Sequence, residues 1–350
     1  MAGGGTGGHV IPALAVAWEL KRRGHDVFFV GTERGVEARL APAAGFPLET
    51  IRIGGLKRVS AVQRLVTLGQ LPWGTLRILG LIRRRHTSAV FSMGGYVAGP
   101  PVAAALLARL PLVVMEPNAV PGFTNRQIGR FVTRALVSFP ETSRHFPRGR
   151  TEVTGLPVRE EFFQLPPKPH EVLFTVLVTG GSQGSRTLNR AARESWPLFR
   201  QAAFAVRFIL QAGKPECEAL EAEFAQAGLD GEVRPFIDDM PAAFARADLV
   251  VCRSGAGAVA ELAAAGKPAV LVPFPFATDD HQLRNAEAFE RAGAARLVPD
   301  RDFSGARLFD LAQTLAAHRD VLDKMGESAR RFAHPEAARR AAEVLEEVAR

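Results

Sequence analysis

Short apolar runs alternate with stretches of helical periodicity along almost the whole chain. Most of these runs end in a glycine, a polar residue or a turn, as buried strands of a parallel sheet do. The predicted strands are residues 27–30, 89–92, 112–115 and 134–137 in the first half, and 173–178, 205–210, 233–236, 249–252 and 269–272 in the second. The pattern predicts an α/β fold built from βαβ units.

Each half carries one glycine-rich segment that leads directly into a helical pattern, residues 3–8 (GGGTGG) and residues 180–185 (GGSQGS). A helix that begins on such a loop offers free N–H groups and the positive end of its dipole to a phosphate. We therefore predict two Rossmann-like domains, with ligands at the carboxyl ends of the strands. The proline-rich residues 165–169 are predicted to form the interdomain linker.

The first glycine segment begins at Gly3, so only Met1 and Ala2 stand where the second half has a whole strand. We predict that the first strand of the first domain is missing. A parallel sheet without a central strand would expose backbone polar groups. The hypothesis that follows is a mis-assigned or truncated start of the chain.

Composition narrows the class of protein. The chain has 350 residues, of which 47% are hydrophobic, and only two cysteines, which excludes a disulfide framework and a CxxC metal site. The most apolar window, residues 97–114, is interrupted by Gly, Pro and Arg, so no membrane-spanning helix is expected. We also see no signal segment at the N-terminus.

The positive charge lies in the first half, because residues 1–160 carry a net charge of +12 and residues 161–350 a net charge of −4. It is concentrated in residues 56–86, around an apolar helical pattern. Two interpretations stay open: helices that bury their leucines against the sheet, or a face that binds anionic lipid. Nucleic acid is not expected, since no aromatic stacking pattern accompanies the charge. The membrane candidates are Leu68, Leu71, Trp73, Leu76, Arg83, Arg84 and Arg85.

A nicotinamide or flavin enzyme is a weaker alternative. Gly3, Gly5 and Gly8 satisfy the GxGxxG fingerprint, but several glycines in a run satisfy it by chance. The acidic residue expected at the end of the second strand is also absent, since Gly31 and Thr32 follow Val30 and Glu33 comes slightly late.

Many separate segments, in one order along nearly the whole chain, resemble the MurG family of peptidoglycan lipid-intermediate N-acetylglucosaminyltransferases. They are residues 3–10 (GGGTGGHV), 93–97 (MGGYV), 116–118 (EPN), 180–184 (GGSQG), 236–240 (FIDDM), 252–256 (CRSGA), 261–268 (ELAAAGKP) and 279–282 (DDHQ) with Asn285.

The resemblance implies a B-type glycosyltransferase with two Rossmann-like domains that face each other across a cleft. The expected reaction is inverting transfer of N-acetylglucosamine from UDP-N-acetylglucosamine to the C4 hydroxyl of undecaprenyl-diphospho-N-acetylmuramoyl-pentapeptide, which converts lipid I to lipid II. Residues 1–158 would bind the acceptor and the membrane, with a C-terminal helix at residues 335–350 packed back on them. Residues 159–334 would bind the donor.

The resemblance also implies partners and a location. It predicts no cofactor and no metal, an anionic membrane surface as a partner, possible contacts with cell-wall synthesis and division proteins, and a peripheral position on the cytoplasmic face of the membrane. Two competing hypotheses stay open. One is a UDP-N-acetylglucosamine 2-epimerase, and the other is a non-catalytic UDP-sugar sensor.

The candidate catalytic residues are His9 and Glu116. A helix N-terminus disfavours imidazolium, so His9 would be a neutral ring able to take a proton, and it matches the family's proposed base. Glu116 follows an apolar strand and could share this role or orient the acceptor. Either residue could instead only cap a helix. Tyr96 is a further acceptor candidate.

The candidate donor-binding residues follow from the matched motifs. Glu261 has apolar neighbours and would accept hydrogen bonds from the ribose, and Ile237 would meet uracil through its backbone. Asp238-Asp239 and Asp279-Asp280 are predicted to cap helices rather than to hold a metal. The full donor set is Thr6, Gly7, Gly8, His9, Asn118, Arg159, Ser182, Gln183, Ile237, Arg253, Ala256, Glu261, His281, Gln282 and Asn285.

Overall fold

A computed structural model describes residues 1–54 and 61–349, without the side chains of residues 61–66, 68 and 278. The chain forms two compact units, one of Met1–Val158 with His334–Arg350 and the other of Arg159–Ala333. Each unit is an α/β domain around one parallel sheet, of seven strands in the first and six in the second. The predicted pair of Rossmann-like domains is confirmed.

The first unit has the strand order β3-β2-β1-β4-β5-β6-β7, and all its strand pairs are parallel. Buried apolar side chains of the central strands, among them Val30, Val90 and Val114, pack against helices on one face of the sheet. The strands are β1 Ala2–Gly3, β2 Phe29–Gly31, β3 Leu48–Thr50, β4 Val90–Gly94, β5 Leu112–Glu116, β6 Arg134–Val137 and β7 Thr151–Val153. The helices are α1 Gly7–Arg22, α2 Glu37–Ala43, α3 Ala61–Arg84, α4 Gly99–Leu107 and α5 Phe123–Ile128.

The prediction that the first strand is missing was wrong. Strand β1 has only two residues, yet it lies at the centre of the sheet, where Ala2 pairs with Val30 of β2 and with Ser92 of β4. The backbone is hydrogen-bonded there, since the N–H of Val30 donates to the carbonyl of Met1 at 2.9 Å.

The second unit has the strand order β10-β9-β8-β11-β12-β13, again with parallel pairs only. One large apolar core, rich in phenylalanine, joins the sheet to its helices. The strands are β8 Phe174–Thr179, β9 Val206–Gln211, β10 Asp230–Arg234, β11 Leu249–Cys252, β12 Ala269–Leu271 and β13 Ala295–Leu297. The helices are α6 Arg186–Gln201, α7 Lys214–Ala227, α8 Met240–Arg246, α9 Ala256–Ala265, α10 His281–Arg291, α11 Gly305–Ala317 and α12 Arg319–Arg330.

The chain returns to the first unit through the helix α13, Ala337–Ala349, which packs on α1. Ion pairs hold it there. Arg340 donates to both carboxylate oxygens of Glu152, at 2.6 and 3.0 Å, and Arg23 donates to Glu346 at 3.2 Å.

The predicted linker at residues 165–169 was wrong, because the boundary between the units falls at Val158 and Arg159. The segment that follows already belongs to the second unit. Phe162 is fully buried, with its ring centroid 5.1 Å from that of Phe244, and Lys168 forms an ion pair with Asp248. The proline-rich residues 165–169 thus form a segment without helix or strand within the second unit, and Lys168 holds it to Asp248.

In both sheets the strand order reverses beside the first strand of the unit, between β1 and β4 and between β8 and β11. Open α/β sheets bind ligands in the crevice at the carboxyl ends of such strands. Both glycine loops lie at this position in their own unit, since residues 4–6 follow β1 and residues 180–185 follow β8.

Candidate functional site: two glycine loops at the strand ends

The first glycine loop carries the candidate base. Thr6 is the N-cap of α1, with Gly7 and Gly8 in its first turn and His9 in the third helical position. Thr6 and Gly8 are exposed, and His9 is half-buried. The Nδ1 atom of His9 lies 3.4 Å from the carbonyl oxygen of Gly4. A carbonyl only accepts, so this contact assigns the proton to Nδ1 and leaves a lone pair on Nε2.

The protonation of His9 follows from its surroundings. Burial lowers the pKa of His9 from its usual value, while the contact with Gly4 and the charge of Glu37 oppose that change. The ring is therefore neutral at pH 7, as a general base must be before it takes a proton.

The turn after β4 covers the imidazole. A Cβ atom on Gly95 would lie 3.3 Å from Nδ1 of His9, so the turn and the ring are in close contact. The hydroxyl of Thr124 donates to the carbonyl of Gly95 at 2.9 Å and fixes the turn. Tyr96 is 39% exposed and its ring packs against Gly5, which places this acceptor candidate beside the glycine loop.

Glu116, the second catalytic candidate, is only 1% exposed at the end of β5. Its Oε1 atom accepts from the backbone and side-chain nitrogens of Asn118, both at 3.0 Å. Its Oε2 atom accepts from the N–H of Gly122 at 3.0 Å and from the amide of Asn125 at 2.9 Å. Burial raises the pKa of Glu116 despite these four donors. With both oxygens occupied, the geometry favours a carboxylate that organises the loop and orients Asn118.

The second glycine loop presents its backbone to solvent. Ser182 and Gln183 are exposed, and the buried Ser185 caps α6 by accepting from the N–H of Leu188. The loop thus combines accessible N–H groups with a helix N-terminus, an arrangement that binds phosphate.

Arg253 lies beside this loop and is held by four partners. It donates to the hydroxyl of Ser185 at 2.7 Å, to the carbonyls of Val272 and Pro273, and to Asp300. Asp300 also accepts from Thr187 of α6 at 3.1 Å. The guanidinium therefore joins three loops at the carboxyl edge, and its charge is largely neutralised by Asp300.

Gln211, a buried residue at the end of β9, was not among the residues predicted from the sequence. Its Nε2 donates to the carbonyl of Gly181 at 2.8 Å and to the hydroxyl of Thr179 at 3.2 Å, and its Oε1 accepts from the N–H of Ile237 at 2.9 Å. One amide thus joins the glycine loop to the candidate uracil loop. The only sequence signal was a polar residue that ends an apolar strand.

Glu261 lies on α9, which begins at Ala256. Burial raises the pKa of Glu261 to about 7, and the positive charge of Arg159 opposes this shift. A half-buried carboxylate of this kind is stabilised by a hydrogen-bond donor, such as the hydroxyl of a bound sugar.

The donor-binding candidates on α10 differ in how deeply they are buried. His281 and Gln282 are partly exposed, and Oε1 of Gln282 accepts from the N–H of Phe274 at 2.9 Å. Asn285 is fully buried, and its amide donates to the carbonyl of Ser254 at 3.1 Å. The buried side chain of Asn285 therefore fixes the turn at Ser254, which precedes α9.

The two aspartate pairs behave differently. Asp239 caps α8 by accepting from the N–H of Ala242 at 3.0 Å, as predicted. The same prediction was wrong for Asp280, whose side chain makes no capping bond to α10 and whose φ is +53°. Among the residues that the structure describes, no three His, Cys, Asp or Glu side chains gather as metal ligands would.

The structure describes the side chains of most membrane candidates, which lie on α3 or directly after it. Trp73 and Leu76 are 77% and 60% exposed, Leu71 is half-buried, and Arg83, Arg84 and Arg85 are exposed. The side chain of Leu68 lies outside the described residues. The apolar residues further along this helix, such as Ile78 and Ile82, are buried. No helix in residues 1–54 or 61–349 is long and apolar enough to cross a bilayer.

Two parallel-sheet domains, each with a glycine loop where the strand order reverses, define the class of two-domain nucleotide-binding proteins. Models of the glycosyltransferase family 28 N-terminal domain and C-terminal domain match residues 1–137 and 175–341. The chain belongs to glycosyltransferase family 28.

A curated relative and a solved structure are similar to this chain over nearly its whole length. A protein of Solibacter usitatus (strain Ellin6076), named UDP-N-acetylglucosamine–N-acetylmuramyl-(pentapeptide) pyrophosphoryl-undecaprenol N-acetylglucosamine transferase, is 64% identical over 100% of this chain and 96% of its own. The crystal structure of Acinetobacter baumannii MurG matches with a TM-score of 0.83 and 34% identity, covering 98% of this chain and 97% of that one. The predicted family resemblance is confirmed.

A UDP-N-acetylglucosamine 2-epimerase structure matches with a TM-score of 0.65 but only 14% identity, over 96% of this chain and 92% of that one. At this identity the likeness shows a shared fold alone. The competing epimerase hypothesis therefore gains no support beyond the fold.

Proposed function

We propose that this chain transfers N-acetylglucosamine from UDP-N-acetylglucosamine to the C4 hydroxyl of undecaprenyl-diphospho-N-acetylmuramoyl-pentapeptide, with inversion at the anomeric carbon. The observation that carries the mechanism is the half-buried, neutral His9, whose Nδ1 is held by Gly4 and whose Nε2 keeps its lone pair. The names of the relatives support the two substrates.

The reaction is one displacement. Nε2 of His9 takes the proton of the C4 hydroxyl while its oxygen forms a bond to the anomeric carbon of the sugar. The bond between that carbon and the diphosphate oxygen breaks, and UDP leaves with the electron pair. The developing charge on the diphosphate is stabilised by the N–H groups of Ser182 and Gln183 and by the dipole of α6.

The two units divide the substrates in this proposal. The first unit binds the lipid acceptor, because it carries the base and the basic, apolar face of α3. The second unit binds the donor: Glu261 accepts from the ribose, the loop of Ile237 meets uracil, and His281 and Gln282 face the sugar. Glu116, Asn285 and Arg253 hold these groups in place.

The assay is transfer of labelled N-acetylglucosamine to a short-chain analogue of the lipid acceptor. We expect His9→Ala to lower kcat by about 10² to 10⁴, the range that a general base supplies, while UDP binding changes less than about twofold. The control is His170→Ala, because His170 is an exposed histidine of the second unit. A His9→Ala variant within about threefold of the unaltered protein contradicts the role of the base. Absence of transfer by the unaltered protein with bound donor contradicts the reaction itself.

We propose further that Trp73 and Leu76, flanked by exposed arginines of α3, seat the first unit on anionic lipid. Exposed apolar side chains beside basic ones bind such surfaces through burial and charge together. Trp73→Ser is expected to weaken binding to phosphatidylglycerol vesicles about tenfold, as measured by co-sedimentation. The control is Val172→Ser, because Val172 is 90% exposed on the second unit. Equal binding by the two variants, or equal binding to zwitterionic vesicles, contradicts the proposal.

A further inference from the structure

A carboxylate that the sequence analysis did not single out lies beneath the first glycine loop. Glu37, the first residue of α2, is fully buried. Its Oε2 atom accepts from the N–H of Gly5 at 2.8 Å, and its Oε1 atom accepts from the N–H and the hydroxyl of Thr32 at 2.9 and 3.0 Å. Burial raises the pKa of Glu37, but the hydrogen bonds from Gly5 and Thr32 outweigh it and leave the pKa below its usual value. The group is an ionised carboxylate at pH 7.

The surrounding backbone is shaped to admit this carboxylate. A Cβ atom on Gly4 would lie 2.6 Å from its carboxyl carbon, one on Gly31 2.3 Å from its Cγ, and one on Gly35 2.1 Å from its Oε2. A side chain at any of these three positions would collide with Glu37. Gly4 of the first glycine loop and two glycines near the end of β2 therefore leave room for a charge inside the protein.

The contact with Gly5 leads directly to the base. The N–H of Gly5 and the carbonyl of Gly4 belong to one peptide group. Glu37 accepts at the nitrogen end of that group, and Nδ1 of His9 donates at its oxygen end. Hydrogen bonds in a chain polarise one another, so the carboxylate increases the negative charge on the carbonyl oxygen that faces the imidazole.

We propose that Glu37 is a positioning residue for His9 that acts through the peptide group between Gly4 and Gly5. It fixes the proton of the neutral ring on Nδ1, keeps Nε2 for the acceptor hydroxyl, and stabilises the imidazolium that forms when Nε2 takes the proton. Glu37 stays ionised throughout. The proposal rests on the role of His9 as the base.

The other groups near the imidazole come from different elements. Tyr96, in the turn after β4, packs against Gly5. Glu116 of β5 lies beyond Gly94 and Asn125, with both its oxygens occupied by donors. The charge that acts on His9 is that of Glu37 of α2, which opposes the effect of burial.

The test is Glu37→Gln, which removes the charge and keeps the size. We expect the pKa of His9, measured by NMR titration of the imidazole, to fall by about 0.5 to 1 unit. The acidic limb of the pH profile of kcat should move to lower pH by the same amount, and the plateau of kcat should fall about two- to threefold, because the rate follows only part of the loss in base strength. The KM for the donor should stay unchanged. The matched control is Glu33→Gln, since Glu33 is an exposed glutamate in the segment between β2 and α2.

A second measurement keeps the proposal falsifiable if Glu37→Gln does not fold. The ¹⁵N spectrum of the unaltered protein should show the neutral His9 ring with its proton on Nδ1, and a proton on Nε2 overturns the proposal. An unchanged His9 pKa and pH profile in a folded Glu37→Gln variant also overturns it, because a merely structural role lowers stability alone. Full transfer activity of the His9→Ala variant, in contrast, contradicts the role of His9 as the base. The NMR titration still measures whether Glu37 changes the pKa of His9.

Discussion

The two glycine loops occupy the same position in two similar sheets, yet their supports have opposite electrostatic character. The first loop rests on the ionised Glu37, which takes the N–H of Gly5. The second rests on the neutral amide of Gln211, which donates to the carbonyl of Gly181 and leaves Ser182 and Gln183 exposed. The charge of the first support would repel a diphosphate, whereas the second support carries no charge. In the proposed function, similar glycine motifs therefore serve a base in one unit and an anion in the other.

The loops also differ in what their glycines make room for. In the first, a Cβ atom would meet side chains, those of Glu37 at Gly4 and Tyr96 at Gly5. In the second, a Cβ atom on Gly184 would lie 2.0 Å from the carbonyl oxygen of Ala212. A side chain can move to another rotamer, whereas a strand end cannot move without the sheet. The second loop is the less tolerant of substitution.

The largest expected effect is that of Gly184→Ala. Gly184 has φ +73°, and its new methyl group would collide with backbone, so we expect a loss of about 3 kcal/mol in the free energy of unfolding, together with weaker donor binding. The matched change in the first loop is Gly5→Ala, where φ is +87° but the nearest atom is Cε1 of the Tyr96 side chain at 3.0 Å, so the expected loss is about 1 to 2 kcal/mol. Chemical denaturation measures both, and similar losses would remove the contrast between the loops.

The second prediction concerns a carboxylate placed beneath the second glycine loop, as Glu37 lies beneath the first. Gln211→Glu removes the donor to Gly181 and places a carboxylate under the diphosphate, so we expect affinity for UDP-N-acetylglucosamine to fall about 30-fold, or ~2 kcal/mol, at pH 8. Gln211→Met is the control of similar size without hydrogen bonds or charge, and it should lose less.

Calorimetric titration at pH 8 and pH 6 distinguishes the two causes. The excess loss in Gln211→Glu over Gln211→Met should shrink at pH 6, because a buried carboxyl becomes protonated there and then donates to Gly181. Equal affinities of the two variants at pH 8 would show that charge beneath this loop does not matter.

The smallest expected effect concerns the pH dependence of donor binding. Burial raises the pKa of Glu261 to about 7, so this carboxyl is increasingly protonated below pH 7 and, in its proposed role, can no longer accept two hydrogen bonds from the ribose. Affinity for UDP-N-acetylglucosamine should therefore fall about tenfold between pH 8 and pH 6, while the charge of its diphosphate diester stays constant.

Glu261→Gln should bind more weakly at pH 8 and lose this pH dependence, whereas Glu218→Gln, at an exposed position of α7, should behave like the unaltered protein. Affinity that is flat from pH 6 to pH 8 in the unaltered protein would exclude an ionised Glu261 as the ribose partner.

Much of the fold could be predicted because buried parallel strands are continuous apolar runs. Residues 134–137 and 249–252 are strands with the predicted bounds. Apart from the two-residue central strand β1, the missed strands are β3, β7 and β13, which all lie at sheet edges and have only three residues each. Edge strands are half-exposed, so they lack the apolar run on which the prediction depends.

The sequence by itself determined the two α/β domains, the two glycine loops, the family and the residues at the strand ends, because each of these is written in local runs and spacings. Only the tertiary structure decided what lies beneath each loop. Glu37 meets Gly5 across 32 residues, and Gln211 meets Ile237 across 26. Such contacts exist only after a βαβ unit has folded, since the sheet brings together groups that no local pattern connects. The strand order determines which groups a buried polar residue can reach. It therefore also determines whether a glycine loop lies over a buried carboxylate, as in the first unit, or over a neutral amide that leaves its N–H groups free, as in the second.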